Sequence, residues 1–265
     1  MEKKFETQSF NKMLKSMIKV DLRRAFTTPL IYIITGICLV IPILILVMTS
    51  MMDGTVSVNP TTGEETIIEG FKNVWQTIGS VSGSAMSMDL TGMCNINMLY
   101  FFIAVLVCLF ISEDFKSGYA KNLFTVRARK TDYVISKTLL GFVGGVSMLV
   151  AFFIGAMLGG AITGLPFDVG TAGVDGIIMC MLSKILLVAV FVPIYVAVSV
   201  AAKQKAWLSI IGSIGVGMLM FTIIPMITPL DSTFVNVILC FVGGIGFSVG
   251  VGAISSLILR KTALV

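Results

Sequence analysis

The chemistry open to this chain is narrow. Histidine is absent from its 265 residues, which removes the usual general base, the commonest metal ligand and the imidazole pH switch. The five cysteines, Cys38, Cys94, Cys108, Cys180 and Cys240, stand singly in or beside apolar segments, with no CxxC pair and no ligand-like spacing. They read as small buried apolar residues, and no metal site is expected. A clustered carboxylate pair or a nucleophile with its base, which a membrane enzyme would need, is not visible. No GxxxxGK followed by Ser or Thr occurs, so any ATP would be bound by another chain. What remains is charge. Nine charged residues crowd the run from Glu113 to Lys137, EDFKSGYAKNLFTVRARKTDYVISK, and one lysine, Lys184, stands inside an apolar segment.

The elements that must position these charges are membrane spans. Hydrophobic residues make up 56% of the chain and charged ones 12%, far from the roughly one-quarter charged of soluble domains. Six continuously apolar windows approach or exceed the roughly 20 helical residues that cross a bilayer core. They run from Leu30 to Met51, Gly92 to Ser112, Leu139 to Leu165, Ile177 to Ala202, Ala206 to Met226 and Val235 to Leu259. Alternation of the barrel type is missing. The expected fold is an all-α integral membrane protein of one domain, residues 1–265, with six transmembrane helices.

Basic residues orient the spans, because cytoplasmic loops retain Lys and Arg. Seventeen of the nineteen lie before the first span, between the second and third, between the fourth and fifth, or after the sixth. The opposite side carries Lys72 against Asp53, Glu64, Glu65, Glu69, Asp89, Asp168, Asp175 and Asp231. Both termini are therefore expected in the cytoplasm, with residues 1–29 as an entry segment, 52–91 as an extracellular loop and 113–138 as a cytoplasmic loop. A density of nine charges does not suit a span, so the last of these is expected to lie in water. No small-residue cleavage site follows a short apolar run, and the first span is expected to remain as an anchor. No basic groove interleaved with aromatics suggests nucleic-acid binding.

From Phe10 to Phe26 the apolar residues recur at three- and four-residue steps while Lys12, Lys15, Lys19 and Arg23 take other faces. This pattern predicts a helix lying flat at the inner headgroups, or a basic anchor that only sets topology. Thr27, Thr28 and Pro29 predict a bend before the first span. On the acidic side, Ile67, Ile68, Phe71, Val74, Trp75 and Ile78 predict a short interfacial helix, with Phe71 and Trp75 as its apolar anchors. The acidic rim would attract a cationic amphiphile, or would merely reflect the retention of basic residues inside. Lys184, about seven residues into the fourth window and roughly 10 Å along its axis, is a candidate on a substrate path together with Asp89. Snorkelling to the outer interface is the plainer reading, and Asp175 or Asp89 would be its pairing partner. Four-residue pairs of small residues, among them Gly141 with Gly145, Gly155 with Gly159 and Gly246 with Gly250, predict close helix packing.

Within the charged run, Phe115, Tyr119 and Leu123 are spaced by four, Gly118 permits a turn, and a basic cluster follows. Such a helix, greasy on one face and charged at its flanks, suits docking to an acidic partner; a basic loop that binds anionic headgroups is the alternative.

Taken with the entry helix, the six windows and the loop after the first, the reading Glu113-Asp114-Phe115-Lys116-Ser117-Gly118 through Lys121-Asn122-Leu123 to Tyr133 and Lys137 resembles type-2 ABC transporter permeases. The likeness covers nearly the whole chain. It looks closest to the short bacterial permeases of bacitracin- and lantibiotic-resistance exporters. The resemblance implies an elbow helix at the entry and a coupling element between helices 2 and 3. It implies contact with an ATP-binding subunit through Glu113, Gly118, Lys121, Asn122, Leu123, Phe124, Arg127 and Arg129. Many members have a proline after the leucine, where this chain has Thr125 and Val126. The implied assembly is a pair of permeases, homodimeric or heterodimeric, in a bacterial inner membrane with its lipid. Two ABC ATPase subunits carry ATP and Mg, and no cofactor sits on this chain. The implied activity is export or extraction of an amphipathic substrate such as an antimicrobial peptide, with no catalysis by the chain itself. A stand-alone secondary transporter or channel is the other reading, and it would need ionisable residues near the bilayer midplane.

Overall fold

The computed structural model describes residues 10–58, 65–67, 70–80, 95–125, 129–203, 205–221 and 223–261. The expectations for Glu64, Ile68, Glu69, Asp89, Cys94 and Arg127 fall outside these residues. Nine helices follow one another among those described: α1 (Phe10–Thr27), α2 (Pro29–Met52), α3 (Leu99–Lys116), α4 (Tyr119–Thr125), α5 (Lys130–Thr163), α6 (Gly173–Ala202), α7 (Ala206–Phe221), α8 (Ile223–Ile227) and α9 (Phe234–Lys261). Five segments are long and apolar enough to cross a membrane: α2, α3 with the turn before it, α5, α6 and α9. The apolar part of α7, Ala206–Leu219, is shorter. Pro225 stands as the third residue of α8, where a missing N–H costs a helix little.

Because the helices alternate in direction, Arg23, Lys121, Lys130, Lys203 and Arg260 gather at one end, and Asp53, Asp168, Asp175 and Asp231 at the other. Three helices form the centre. More than half of the apolar windows of α3, α5 and α6 is buried, against 28% for α2 and 17% for α9. Glycines set the close approaches. A Cβ on Gly141 would sit 2.6 Å from Val192 Cγ1 of α6, and one on Gly155 would strike the Leu39 carbonyl of α2. Gly246 and Gly250 on α9 meet nothing within 4 Å.

The entry segment is a helix whose buried residues Met17, Asp21 and Ala25 step by four onto α5, with Lys12, Lys15, Lys19 and Arg23 exposed. It ends where Thr28 turns extended (φ −85°, ψ 131°) before Pro29, a residue with no N–H to continue the ladder. The structure moves the limits of the second and third windows. α3 runs on through Glu113 to Lys116, and α5 begins at Lys130. The water-exposed connection therefore shrinks from residues 113–138 to about 117–129. Asp114 and Lys137, expected in water, are buried within the helices because they neutralise one another.

At the acidic end, a two-stranded antiparallel hairpin, β1 (Val56–Val58) with β2 (Glu65–Ile67), occupies part of the outer loop in the register Val56 to Ile67. In place of an interfacial helix, Val74–Thr77 form a single 3₁₀ turn whose N-cap Asn73 accepts from the Trp75 amide at 3.1 Å. Phe71, Val74 and Ile78 are buried, the last two in the main core, and Trp75 donates its indole N–H to the Phe167 carbonyl at 3.1 Å. Of the apolar spacing read as a membrane-facing stripe, Phe71, Val74 and Ile78 face protein, whereas Ile67 is exposed.

Candidate functional site

The basic end is built around a turn. α3 stops where Gly118 adopts φ +74°, a conformation that side chains resist, and its amide reaches back to the Phe115 carbonyl at 3.4 Å. The chain then reverses into the seven residues of α4. Phe115, Tyr119 and Leu123 thus lie on two helices rather than one, but the aromatics still converge: Phe115 and Phe124 meet the Tyr133 ring edge-on, with centroids 6.4 and 5.4 Å away. Glu113, Lys121, Asn122 and Arg129 are exposed, and Leu123 and Phe124 are half-buried. Half-buried apolar residues with exposed polar ones around them have the arrangement of an interface core and its rim. A Cβ on Gly118 would meet no atom within 4 Å, so only the backbone resists substitution. Gly118→Ala is expected to lower stability by about 1 kcal/mol, readable as a shifted unfolding midpoint in detergent micelles. An unchanged midpoint would show that the turn is not held.

Behind this surface lies a cluster that the sequence did not disclose. Lys137 Nζ sits 2.8 Å from Asp21 Oδ1 and 2.6 Å from Asp114 Oδ2, with all three side chains at or below 1% exposure. Arg24 Nη1 reaches Asp114 Oδ1 at 2.9 Å and Asp21 Oδ1 at 3.9 Å. Ser136 donates to Asp21 at 2.6 Å, and the Tyr133 hydroxyl donates to Asp114 at 3.1 Å. Two cations and two carboxylates cancel, and the lone pairs find donors, the condition under which buried ions persist. Aromatic rings line the rest. The Arg24 guanidinium lies 4.1 Å from the Tyr119 ring centroid and Lys137 Nζ 4.6 Å from that of Phe110, both within cation–π range. Burial, then the charges of Asp21 and Asp114, push the Tyr119 hydroxyl above its ordinary value, so it stays protonated. The cluster ties α1, α3, α4 and α5 together at one point. Its sequence signal was slight: Asp21 lies midway between Met17 and Ala25 on the apolar stripe of α1, a place where a carboxylate needs a buried partner.

Lys184 is also fully buried, and this corrects the snorkelling reading. It lies eleven residues beyond Gly173, the first residue of α6, roughly 16 Å along the axis at the usual helical rise. Its ammonium donates to Asn97 Oδ1 at 2.7 Å and Thr228 Oγ1 at 3.0 Å, and its carbonyl accepts from the Tyr100 hydroxyl at 2.9 Å. Asp175 is exposed, and no described carboxylate pairs with Lys184. Asn97 sits in a 3₁₀ turn just before α3, and Thr228 just after α8. Lys184 therefore pins two non-helical segments to a central helix, the kind of setting in which irregular backbone is tolerated at membrane depth. Nearer the basic end, Ser209 donates to Ser199 at 2.8 Å, and Cys108 lies 3.2 Å from both Ser199 and Ser213, joining α3, α6 and α7 through buried polar atoms.

The structure thus groups most of the expected contact residues on one exposed surface backed by an ion cluster, and keeps Lys184 apart from them. Neither curated proteins nor solved structures returned a match to the chain. A family model described as ABC-2 family transporter protein matches residues 22–224, from the middle of α1 into α8, and takes in Arg24, Asp114 and Lys137 of the ion cluster, the Gly118 turn and Lys184, with Asp21 just before its start. The chain belongs to the ABC-2 transporter family and is a multi-pass membrane protein.

Proposed function

We propose that this chain is the membrane subunit of an ATP-driven ABC exporter that moves or extracts an amphipathic substrate such as an antimicrobial peptide. A separate ABC ATPase, in two copies, binds ATP and Mg, and this chain is not itself catalytic. A second permease copy, identical or related, completes the path, with both termini on the cytoplasmic side of a bacterial inner membrane. In this reading α1 is the elbow helix, and α7 with α8 makes the sixth crossing.

The observation that carries the proposal is the wiring of the basic end. The exposed residues around Gly118 are candidate contacts for the ATPase, and Tyr119 in the same short helix lies against Arg24 of the buried cluster. A push on α4 therefore reaches α1 and α5 without crossing a flexible linker. Coupling of this kind needs an element with two arrangements that both sites bias, and an ion cluster spanning four helices is able to exchange partners. Lys184, buried without a described carboxylate, is the group on the path that would meet an anionic part of the substrate.

The test is whether an ATPase holds to this surface and turns over ATP there. A stand-alone secondary transporter also uses an ionisable group deep in the membrane, and Lys184 satisfies that requirement. Transport driven by an ion gradient without ATP would favour it over the ABC reading.

A further inference from the structure

Between α5 and α9 the surface opens into a long cleft that none of the residues discussed above explains. Its deeper part encloses about 620 Å³ and is lined by Val134, Ile135, Leu139 and Phe142 of α5 and by Val249 and Gly252 of α9. A second hollow of about 310 Å³ shares Phe142, Ala189, Ser248 and Val249 with it, so the two form one slot floored by Ala189 of α6. Ser248 spends its hydroxyl on the Ala189 carbonyl at 3.1 Å and Ser256 on that of Ala253 at 2.8 Å, which leaves a mainly apolar slot with Thr131 and Thr138 as its other polar residues. Volumes of about 300 to 1,000 Å³ suit small ligands. A helix, about 10 Å across, does not fit, because α5 and α9 touch each other as well as α6. The open glycines Gly246 and Gly250 lie on a different face of α9 from the slot-lining Ser248 and Gly252, leaving that other face for a neighbouring helix.

One mouth of the slot is basic. Lys130 Nζ donates to the Leu259 carbonyl at 2.6 Å, which places its charge against the carbonyl end of α9. Arg260 is exposed beside it, and Lys261 follows. Asp132, the nearby carboxylate on α5, is buried with Arg129 in its field, so the cations Lys130 and Arg260 outnumber it at the mouth. A mainly apolar slot between two spans that ends at two cations is complementary to an anionic phospholipid, a chemistry that basic pockets between spans select.

We infer that this cleft binds one anionic phospholipid, with an acyl chain along the slot and its phosphate at Lys130 and Arg260. The inference does not depend on what the protein transports. It is tested on the full chain in nanodiscs of mixed phosphatidylglycerol and phosphatidylcholine of identical chains, released and weighed by native mass spectrometry. One phosphatidylglycerol is expected to remain bound and phosphatidylcholine to be lost. Gly252→Leu places its Cβ 4.0 Å from Val134, an ordinary contact, so it fills the slot without disturbing the helix and is expected to reduce retention at least fivefold. Lys130→Gln, at a half-buried position, and Arg260→Gln, at an exposed one, are each expected to reduce it about fivefold, in line with the usual worth of a cation near an anionic headgroup. Equal retention of the two lipids overturns the proposal, as does retention indifferent to all three substitutions. A disulfide between two copies through Val249→Cys would also overturn it, because a second chain would then cover the cleft.

Discussion

Lys137→Met is expected to destabilise the folded protein by about 3 to 5 kcal/mol, the usual cost of stranding a buried ion. The substitution removes the cation that lies 2.8 Å from Asp21 and 2.6 Å from Asp114. Arg24, with its side chain about one-third exposed, is then left to answer two carboxylates. Asp21 would retain the Ser136 hydroxyl, and Asp114 would retain Tyr133, but hydroxyls do not cancel a charge. A loss of this size is a large share of the total stability of an ordinary domain. The double substitution Asp21→Asn with Lys137→Met removes one charge of each sign and leaves the Arg24–Asp114 pair intact. It is expected to recover more than half of the loss. Unfolding in graded denaturing detergent measures both. A single substitution costing under about 1 kcal/mol, or a double whose cost is the sum of its parts, would show that these ions do not act as a unit.

Lys184→Met is expected to act in the opposite way, lowering transport at least tenfold while leaving the unfolding midpoint unchanged or raised. Burying an ammonium costs several kcal/mol even after relaxation, and among the described residues Lys184 donates to the neutral acceptors Asn97 and Thr228. A methionine of similar length fills the space without that cost, which offsets the loss of the donor to the buried Asn97 and Thr228 oxygens. A group held at the expense of stability belongs to function more readily than to the scaffold. Should Lys184→Met unfold the protein and leave the transport of the surviving fraction intact, the lysine is a structural bolt for the two outer segments. Lys184→Arg separates charge from shape, since it keeps the cation but overfills the site.

The difference between these residues also explains what could be read from the sequence. Five spans were legible because twenty or more apolar residues between charges admit few other structures, and α2, α6 and α9 fall close to the expected limits, whereas the fifth window, Ala206 to Met226, holds the shorter α7 and then α8. The α1 helix was legible from its four-residue steps. The ends of α3 and α5 were not, because Asp114 and Lys137 look like loop charges until the partner on α1 is known. Pairing across 116 residues between Asp21 and Lys137 leaves no local trace. The outer loop failed for another reason. The spacing of Phe71, Val74, Trp75 and Ile78 shows that one side is greasy but not whether lipid or protein covers it, and Gly160 of α5, where a Cβ would collide with Val74, decides the matter. Gly118 was legible in kind, since a glycine between two charged stretches invites a turn, and its positive φ supplies one.

The most direct test of ATPase docking at the basic end is ATP hydrolysis by the complex purified through this chain. The wild-type chain is predicted to bring down an ABC ATPase with vanadate-sensitive turnover. Lys121→Glu with Arg129→Glu, both exposed, is predicted to reduce the bound ATPase and its turnover at least tenfold while the chain remains folded and monodisperse, as opposed charges facing the wrong sign weaken association. Equal amounts of ATPase and equal turnover with wild type and variant, or transport by the chain alone on an ion gradient, would contradict it.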